Sequence, residues 1–194
     1  MARVKALTLT ELIIALSLMG LIMVFPISVE LFVRSRYSSL NQKILLTQEA
    51  SLVLEQIVKQ VKQAIGDVSQ EALIPYDDGR GFLVRIDDGD GIPNDSDSFV
   101  GYRHVGTQII FYQNGQTPDN PPTSGGEVLT SQALSTDFNQ PPSSWGLVVT
   151  PDTSLKYRFQ ITVRLRQDPN QPPDPITNPQ VELTTQVSTN TPLS

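Results

Sequence analysis

The densest cluster of potential ligand side chains lies between residues 87 and 97, where five aspartates fall within eleven residues. When Gly91 is aligned with the sixth position of an EF-hand-type loop, the ligand positions on both sides of it are occupied by residues that offer oxygen atoms. These come from Asp88, Asp90, the Ile92 carbonyl, Asn94 and Asp97. Carboxylate, amide and carbonyl oxygens are the hard ligands that Ca²⁺ takes in proteins, so this spacing predicts a calcium site.

This motif departs from the EF-hand pattern at its first position, which Ile86 occupies, and Asp87 lies one place away. The same run is also typical of an acidic turn that charge keeps soluble, because turns favour Asp, Asn and Gly. The sequence leaves both interpretations open.

Composition excludes several other kinds of chemistry. The chain has 194 residues, no cysteine and one histidine, His104. It therefore forms no disulfide, no thiolate metal site and no multi-histidine metal site. It also has no GxSxG, P-loop, HExxH or dinucleotide-binding motif, and we expect no enzymatic activity.

Net charge bears on the partners. The chain carries 14 Lys and Arg against 20 Asp and Glu, a formal charge of −6. This is the wrong sign for a protein that binds nucleic acid through its phosphates, so no nucleic-acid partner is expected. One predicted strand carries a basic row that is either a DNA contact or, as we favour, a solvated face. Its members are Lys156, Arg158, Arg164 and Arg166.

An uncharged segment near the N-terminus is long enough to cross a membrane. Residues 12–29 are 18 consecutive residues without a charge, and Arg3 and Lys5 precede them. A hydrocarbon core of about 30 Å needs roughly 17–25 apolar helical residues, and basic residues favour the cytoplasmic side. We therefore expect a single span with a cytoplasmic N-terminus and the remainder of the chain outside.

The helix is expected to continue well beyond the span, over residues 7–65. No proline occurs between Pro26 and Pro75, and Gly66 is a suitable C-cap. A stripe of mostly apolar residues at spacings of three and four predicts one packing face. The stripe comprises Val33, Tyr37, Leu40, Ile44, Thr47, Ser51, Leu54, Val58, Val61 and Ile65. Residues 7–29 would lie in lipid or against other copies, and the second half would pack on a globular domain.

That domain, residues 66–194, is predicted to be rich in antiparallel strands, which gives an α+β fold. Alternating or apolar runs predict strands at 82–86, 99–103, 108–112, 155–166 and 181–187, with a further apolar strand at 146–149 that follows Trp145. Residues 118–144 and 167–179 are rich in turn-forming residues and predict loops, with at most a short helix near 127–134.

The N-terminus carries the most specific motif. The octapeptide at 5–12, Lys-Ala-Leu-Thr-Leu-Thr-Glu-Leu, stands between a short basic leader and the apolar helix. It resembles the prepilin cleavage and methylation motif of type IV pilins and type II secretion pseudopilins. The resemblance implies a leader of residues 1–6, cleavage between Ala6 and Leu7, and methylation of the new amine of Leu7. It also implies that Glu11 neutralises the N-terminal amine of a neighbouring subunit during assembly.

Two positions depart from that family's pattern. The residue before the cut is usually glycine and is Ala6 here, and the helix proline, Pro26, lies two places early. Gly20 falls where the family usually has a glycine. The size of the β-domain and the sequences of the predicted strands at 98–103, 108–112 and 161–166 resemble those of PilW-type minor pilins and J-type pseudopilins.

This resemblance implies a structural subunit of a pilus or pseudopilus, in its initiating or tip complex. Its partners would be other pilin or pseudopilin subunits, the prepilin peptidase and the inner-membrane assembly platform. The chain would begin in the inner membrane and, after assembly, belong to a periplasmic or cell-surface filament. Two alternatives remain: a calcium-dependent adhesin at a pilus tip, and a bitopic envelope enzyme whose Glu11 lies in the headgroup layer of an ordinary signal anchor.

Overall fold

The computed structural model describes residues 8–67, 70–113, 117–134, 146–151 and 158–189, and of Asp78 it describes the backbone alone. The described elements are one long helix, a 3-10 helix at Asp77–Gly79 and eight strands. In chain order the helix and strands are α1 (Leu9–Gln63), β1 (Leu73–Tyr76), β2 (Gly81–Ile86), β3 (Ser98–Val105), β4 (Gln108–Tyr112), β5 (Glu127–Thr130), β6 (Leu147–Pro151), β7 (Arg158–Arg166) and β8 (Gln180–Ser188).

The chain divides into two compact units, Met1–Asn41 and Gln42–Ser194, and α1 contributes to both. In the first unit the apolar side chains of the helix are exposed, including Leu21 and Phe25. The helix continues through Pro26 without a break. It is long and apolar enough to cross a membrane, as the uncharged segment predicted.

The second unit contains two antiparallel sheets. Five strands are ordered β1-β2-β3-β4-β5, and three are ordered β6-β7-β8. Neighbours in each sheet are consecutive in the chain, and each neighbouring pair is antiparallel. The predicted α+β class is therefore confirmed, and each predicted strand overlaps an observed strand, with bounds that differ by three residues at most. Residues 155–157, the start of one predicted strand, and Trp145, at the start of another, lie outside the described residues.

One hydrophobic core joins the second half of α1 to both sheets. Ile57 and Val61 are fully buried on the helix, and Tyr102 and Ile161 face them from the five-stranded and three-stranded sheets. The Tyr102 hydroxyl donates a hydrogen bond of 3.4 Å to the Gln56 carbonyl of the helix. The core therefore holds the helix and the sheets of this unit as one layered structure.

The predicted packing stripe of the helix was wrong in the earlier part of this region, whereas its members Leu54 and Val58 pack against the core. The buried positions follow a neighbouring row of the helix surface, and Ile44 of the predicted stripe is 55% exposed. Both rows meet at Val61, where the residues three and four places earlier, Val58 and Ile57, are both apolar. The prediction chose the row that continues into the first unit. The buried row comprises Leu46, Ala50, Val53, Ile57, Val61 and Ala64.

The short helix predicted near residues 127–134 was also wrong, because this segment contains β5. Val128 lies opposite Ile110 of β4, and Thr130 lies opposite Ile109. Gly126, just before β5, is so close to β4 that an added Cβ would lie 2.5 Å from the Ile110 side chain. Pairing with β4 therefore favours an extended backbone here, which local composition did not reveal.

Candidate functional site

The acidic run predicted to bind calcium forms the connection between β2 and β3. Oxygen atoms of Asp87, Asp88 and Asp90 all lie within 4.8 Å of one another, and the last two side chains are exposed. Gly89 lies between Asp88 and Asp90 and Gly91 follows Asp90, with φ angles of +110° and +72°, a backbone region that L side chains rarely adopt. The two glycines therefore allow the chain to turn sharply enough to bring three carboxylates together.

Backbone N–H groups of the loop hold these carboxylates in place. The Oδ1 atom of Asp87 accepts hydrogen bonds from the N–H groups of Gly89 at 2.9 Å and Gly91 at 3.0 Å. The Oδ1 atom of Asp90 accepts one from Ile92 N–H at 2.7 Å. These bonds orient the carboxylates of Asp87 and Asp90 without a cation.

The predicted ligands are only partly brought together. Asp88 and Asp90 lie in the three-carboxylate cluster, and Asp87, which the EF-hand spacing left out, completes it. The Asn94 side-chain amide donates to Asp90 Oδ2 at 3.0 Å and to the Ile92 carbonyl at 2.9 Å. These three groups are therefore adjacent, with the amide nitrogen of Asn94 directed toward the other two oxygens.

Asp97, the predicted last ligand, binds a different partner. Its side chain is fully buried, and its Oδ2 atom lies 3.4 Å from Nη1 of Arg85, whose side chain is 5% exposed. The same oxygen accepts a hydrogen bond of 2.8 Å from Asn94 N–H. Asp97 Oδ1 is buried with no hydrogen-bond partner among the described residues. Asp97 thus anchors the loop to the β-sheet.

Arg85 is the residue that sequence reasoning missed. Its guanidinium donates to the Asn94 carbonyl at 2.6 Å, to Gln70 Oε1 at 2.6 Å and to the Glu71 carbonyl at 3.3 Å. It also lies over the Phe99 ring, 4.8 Å from its centroid. The signal was a single basic residue inside the apolar run 82–86, which is unusual unless the charge is paired.

The second candidate site is the start of α1. Thr8 N–H and the Thr8 hydroxyl each donate a hydrogen bond of 2.9 Å to Glu11 Oε2, and Glu11 N–H donates to the Thr8 hydroxyl at 3.3 Å. This reciprocal pattern is a capping box, which satisfies N–H groups that the first helical turn leaves free. Glu11 therefore caps its own helix, a role that the motif did not suggest. Ala6 and Leu7 lie outside the described residues.

The single histidine is buried, and two arginines of the basic row form hydrogen bonds to neighbouring side chains. His104 is fully buried on β3, and burial lowers the pKa of its imidazole to about 4, so the ring is neutral at pH 7. Arg164 makes two bonds to the Glu182 carboxylate, at 2.9 and 3.1 Å. Arg166 donates twice to Gln180 Oε1. Partners on β8 thus engage two of the predicted basic residues.

These features define the chain coarsely as an α+β protein with one helix able to span a membrane and an acidic loop on its five-stranded sheet. Comparison of the sequence and the fold with protein-family models, curated proteins and solved structures found no match.

Proposed function

We propose that this chain is a minor pilin or pseudopilin, a structural subunit that assembles through α1 into a type IV pilus or a type II secretion pseudopilus. The observation that carries the proposal is the motif at residues 5–12, which continues into the start of the 55-residue helix α1. The first unit supports it, because its exposed apolar helix needs lipid or other helices as a partner. The prepilin peptidase and the assembly platform of the inner membrane are the partners proposed for processing and assembly.

Glu11 is proposed to act in assembly as the acceptor for the methylated amine of a neighbouring subunit. Its Oε2 atom is used by the capping box, and its side chain lies in the first helical turn. Pairing a carboxylate with an amine away from water is favourable only when both charges are present, because a lone buried charge is costly. The capping box would hold the carboxylate in position for this pairing.

Processing tests the proposal directly. In a host with an active prepilin peptidase, the mature protein should begin at Leu7 and carry a methylated amine. Intact-mass analysis of the purified protein measures both changes. A mature chain that retains residues 1–6 would overturn the pilin proposal and favour the ordinary signal anchor. The enzyme alternative would need, in addition, a measured catalytic activity of the exported domain.

Replacing Glu11 by Gln and by Val separates its two roles. Glutamine preserves the capping box but removes the charge, and valine removes both. We expect both variants to be cleaved yet to be lost from sheared filaments, with at least tenfold less subunit than the wild type on quantitative immunoblots, which corresponds to about 1.4 kcal/mol. Wild-type incorporation of Glu11→Gln would contradict the charge-pairing role and leave helix capping as the function of Glu11.

We also propose that the 87–97 loop binds calcium, with Asp87, Asp88 and Asp90 as the central ligands. The observation in favour is the convergence of three carboxylates whose mutual repulsion a divalent cation would remove. The carbonyl of Ile92 is an adjacent candidate, whereas the side-chain oxygen of Asn94 accepts hydrogen bonds from Ser96. Such a loop would stabilise the start of β3, whether the subunit is purely structural or presents an adhesive tip.

Calcium should therefore raise the stability of the second unit. For a site with a Kd of about 10⁻⁴–10⁻³ M, free Ca²⁺ at about 100 times the Kd would add roughly 2.7 kcal/mol to the free energy of unfolding. Thermal unfolding of the full chain in detergent, with Ca²⁺ and with chelator, measures the shift. Asp90→Asn should abolish it, and Asp119→Asn, at an exposed position outside the loop, should not. Equal melting temperatures of the wild type in both buffers would show that the loop is a charged turn.

A further inference from the structure

A short segment that follows β5, residues 131–134, joins the two sheets. The Ala133 N–H donates a hydrogen bond of 3.0 Å to the Thr107 carbonyl, in the turn between β3 and β4 of the five-stranded sheet. The Leu134 N–H donates one of 3.2 Å to the Arg164 carbonyl of β7, in the three-stranded sheet. Residues 131–134, here called the joining segment, therefore connect the sheets through their own backbone.

His104 of β3 is buried against this joining segment. The backbone carbonyls of Leu134 and Gly106 lie close enough to influence its imidazole, but neither ring nitrogen has a hydrogen-bond partner among the described residues. His104 and Ile109, its neighbour on β4, are both fully buried. A buried imidazolium would need an acceptor or water for its second proton, so this position accommodates the neutral ring.

The charged side chains of the elements around His104 are either paired or exposed. The pairs are Arg80 and Arg103 with Asp77, and Arg164 with Glu182. The exposed charged residues are Glu55, Lys59 and Lys62 of α1 and Glu127 of β5. Tyr102, two positions earlier on the same face of β3, stays protonated because burial raises its pKa. None of these groups supplies a countercharge that would stabilise a protonated His104.

We propose that His104 makes the connection between the two sheets sensitive to acid: protonation of its imidazole releases the joining segment and admits water to the ring. The joining segment opens in preference to β3, because β3 is paired along its length with both β2 and β4. Local opening involves the parts of a fold that have the fewest contacts to lose. This property is independent of the pilin proposal and of calcium.

The direction and range of the pH effect follow from the two states of the ring. Burial lowers the pKa of His104 to about 4, whereas an imidazole in contact with water has a pKa of 6.5. Because the closed form binds the proton less readily, opening becomes more favourable as the pH falls below 6.5, and the effect levels off below about 4. The equilibrium constant for opening should therefore increase about thirtyfold between pH 7.5 and pH 5.

Amide hydrogen exchange of the full chain in a non-ionic detergent, corrected for the intrinsic effect of pH, measures this opening. For Ala133 and Leu134 of the wild type we expect the thirtyfold increase. His104→Gln and His104→Leu remove the titrating group and should show less than a threefold increase. At pH 5 the two wild-type amides should also exchange at least tenfold faster than Ile161 in the middle of β7, which distinguishes release of the joining segment from unfolding of the whole unit.

The wild type alone provides a second measurement. The chain has one histidine, so a ¹³C-labelled imidazole gives a single NMR signal, and this signal should remain that of a largely neutral ring down to pH 5. Thermal unfolding at pH 7.5 shows which of the two variants retains the fold. A titration midpoint above pH 6, the same pH dependence of exchange in the wild type and a folded variant, or equal protection of the joining segment and Ile161 would each overturn the proposal.

Discussion

Replacing Arg85 by Met is expected to lower the free energy of unfolding by about 3–5 kcal/mol. The exchange preserves most of the side-chain length but leaves the fully buried carboxylate of Asp97 without its countercharge. It also removes donors to Gln70 and to the Asn94 carbonyl, which would then lack those partners inside the protein. Denaturant unfolding of the full chain in detergent, followed by the signal of the β-rich unit, measures the loss.

The double variant Arg85→Met with Asp97→Leu identifies the cause. If the unpaired carboxylate is responsible, removing it should restore much of the lost stability, because apolar replacements of a buried ion pair are often close to neutral. Glu182→Gln is the matched control, since Glu182 pairs with Arg164 but is 49% exposed, and it should cost at most about 1 kcal/mol. A loss below 1 kcal/mol for Arg85→Met would contradict the anchoring role of this pair.

The elements of this fold were predictable where a periodic pattern was long or where polar and apolar residues alternated. The 55-residue helix and β7 have such patterns, and both were predicted with the correct type. β5 is four residues long and its strand character depends on pairing with β4, which is a contact between distant parts of the chain. Short segments of this kind carry too little local information to distinguish strand from helix.

The candidate calcium loop shows the same limit at the level of a site. Spacing correctly placed Asp88 and Asp90 together, because two residues separated by one glycine remain close in any tight turn. Spacing also assigned Asp97 to the loop, but a buried arginine two strand positions before the loop provides a stronger partner. Packing between β2 and β3 decides which carboxylate is available to bind a cation. The spacing of residues along the sequence carries no information about that packing.

The last prediction concerns which face of α1 supports the domain. Ile57 is fully buried between the helix and both sheets, whereas Ile44, on the row that the sequence favoured, is 55% exposed. Ile57→Ala should lower the free energy of unfolding by about 2–5 kcal/mol, because it removes buried apolar surface and leaves a cavity in a rigid core. Ile44→Ala makes the same chemical change and should cost no more than about 0.5 kcal/mol in the second unit.

Because the two variants differ only in position, the helix propensity gained by alanine is the same in both, and the difference between them reports packing alone. Denaturant unfolding of the two full-length variants under identical detergent conditions measures that difference. A greater loss of unfolding free energy for Ile44→Ala than for Ile57→Ala would mean that the predicted stripe, which includes Thr47 and Ser51, faces the sheets. The expected order instead follows from geometry, since the row through Ala50 and Val53 brings small side chains against the strands and lets the helix approach closely.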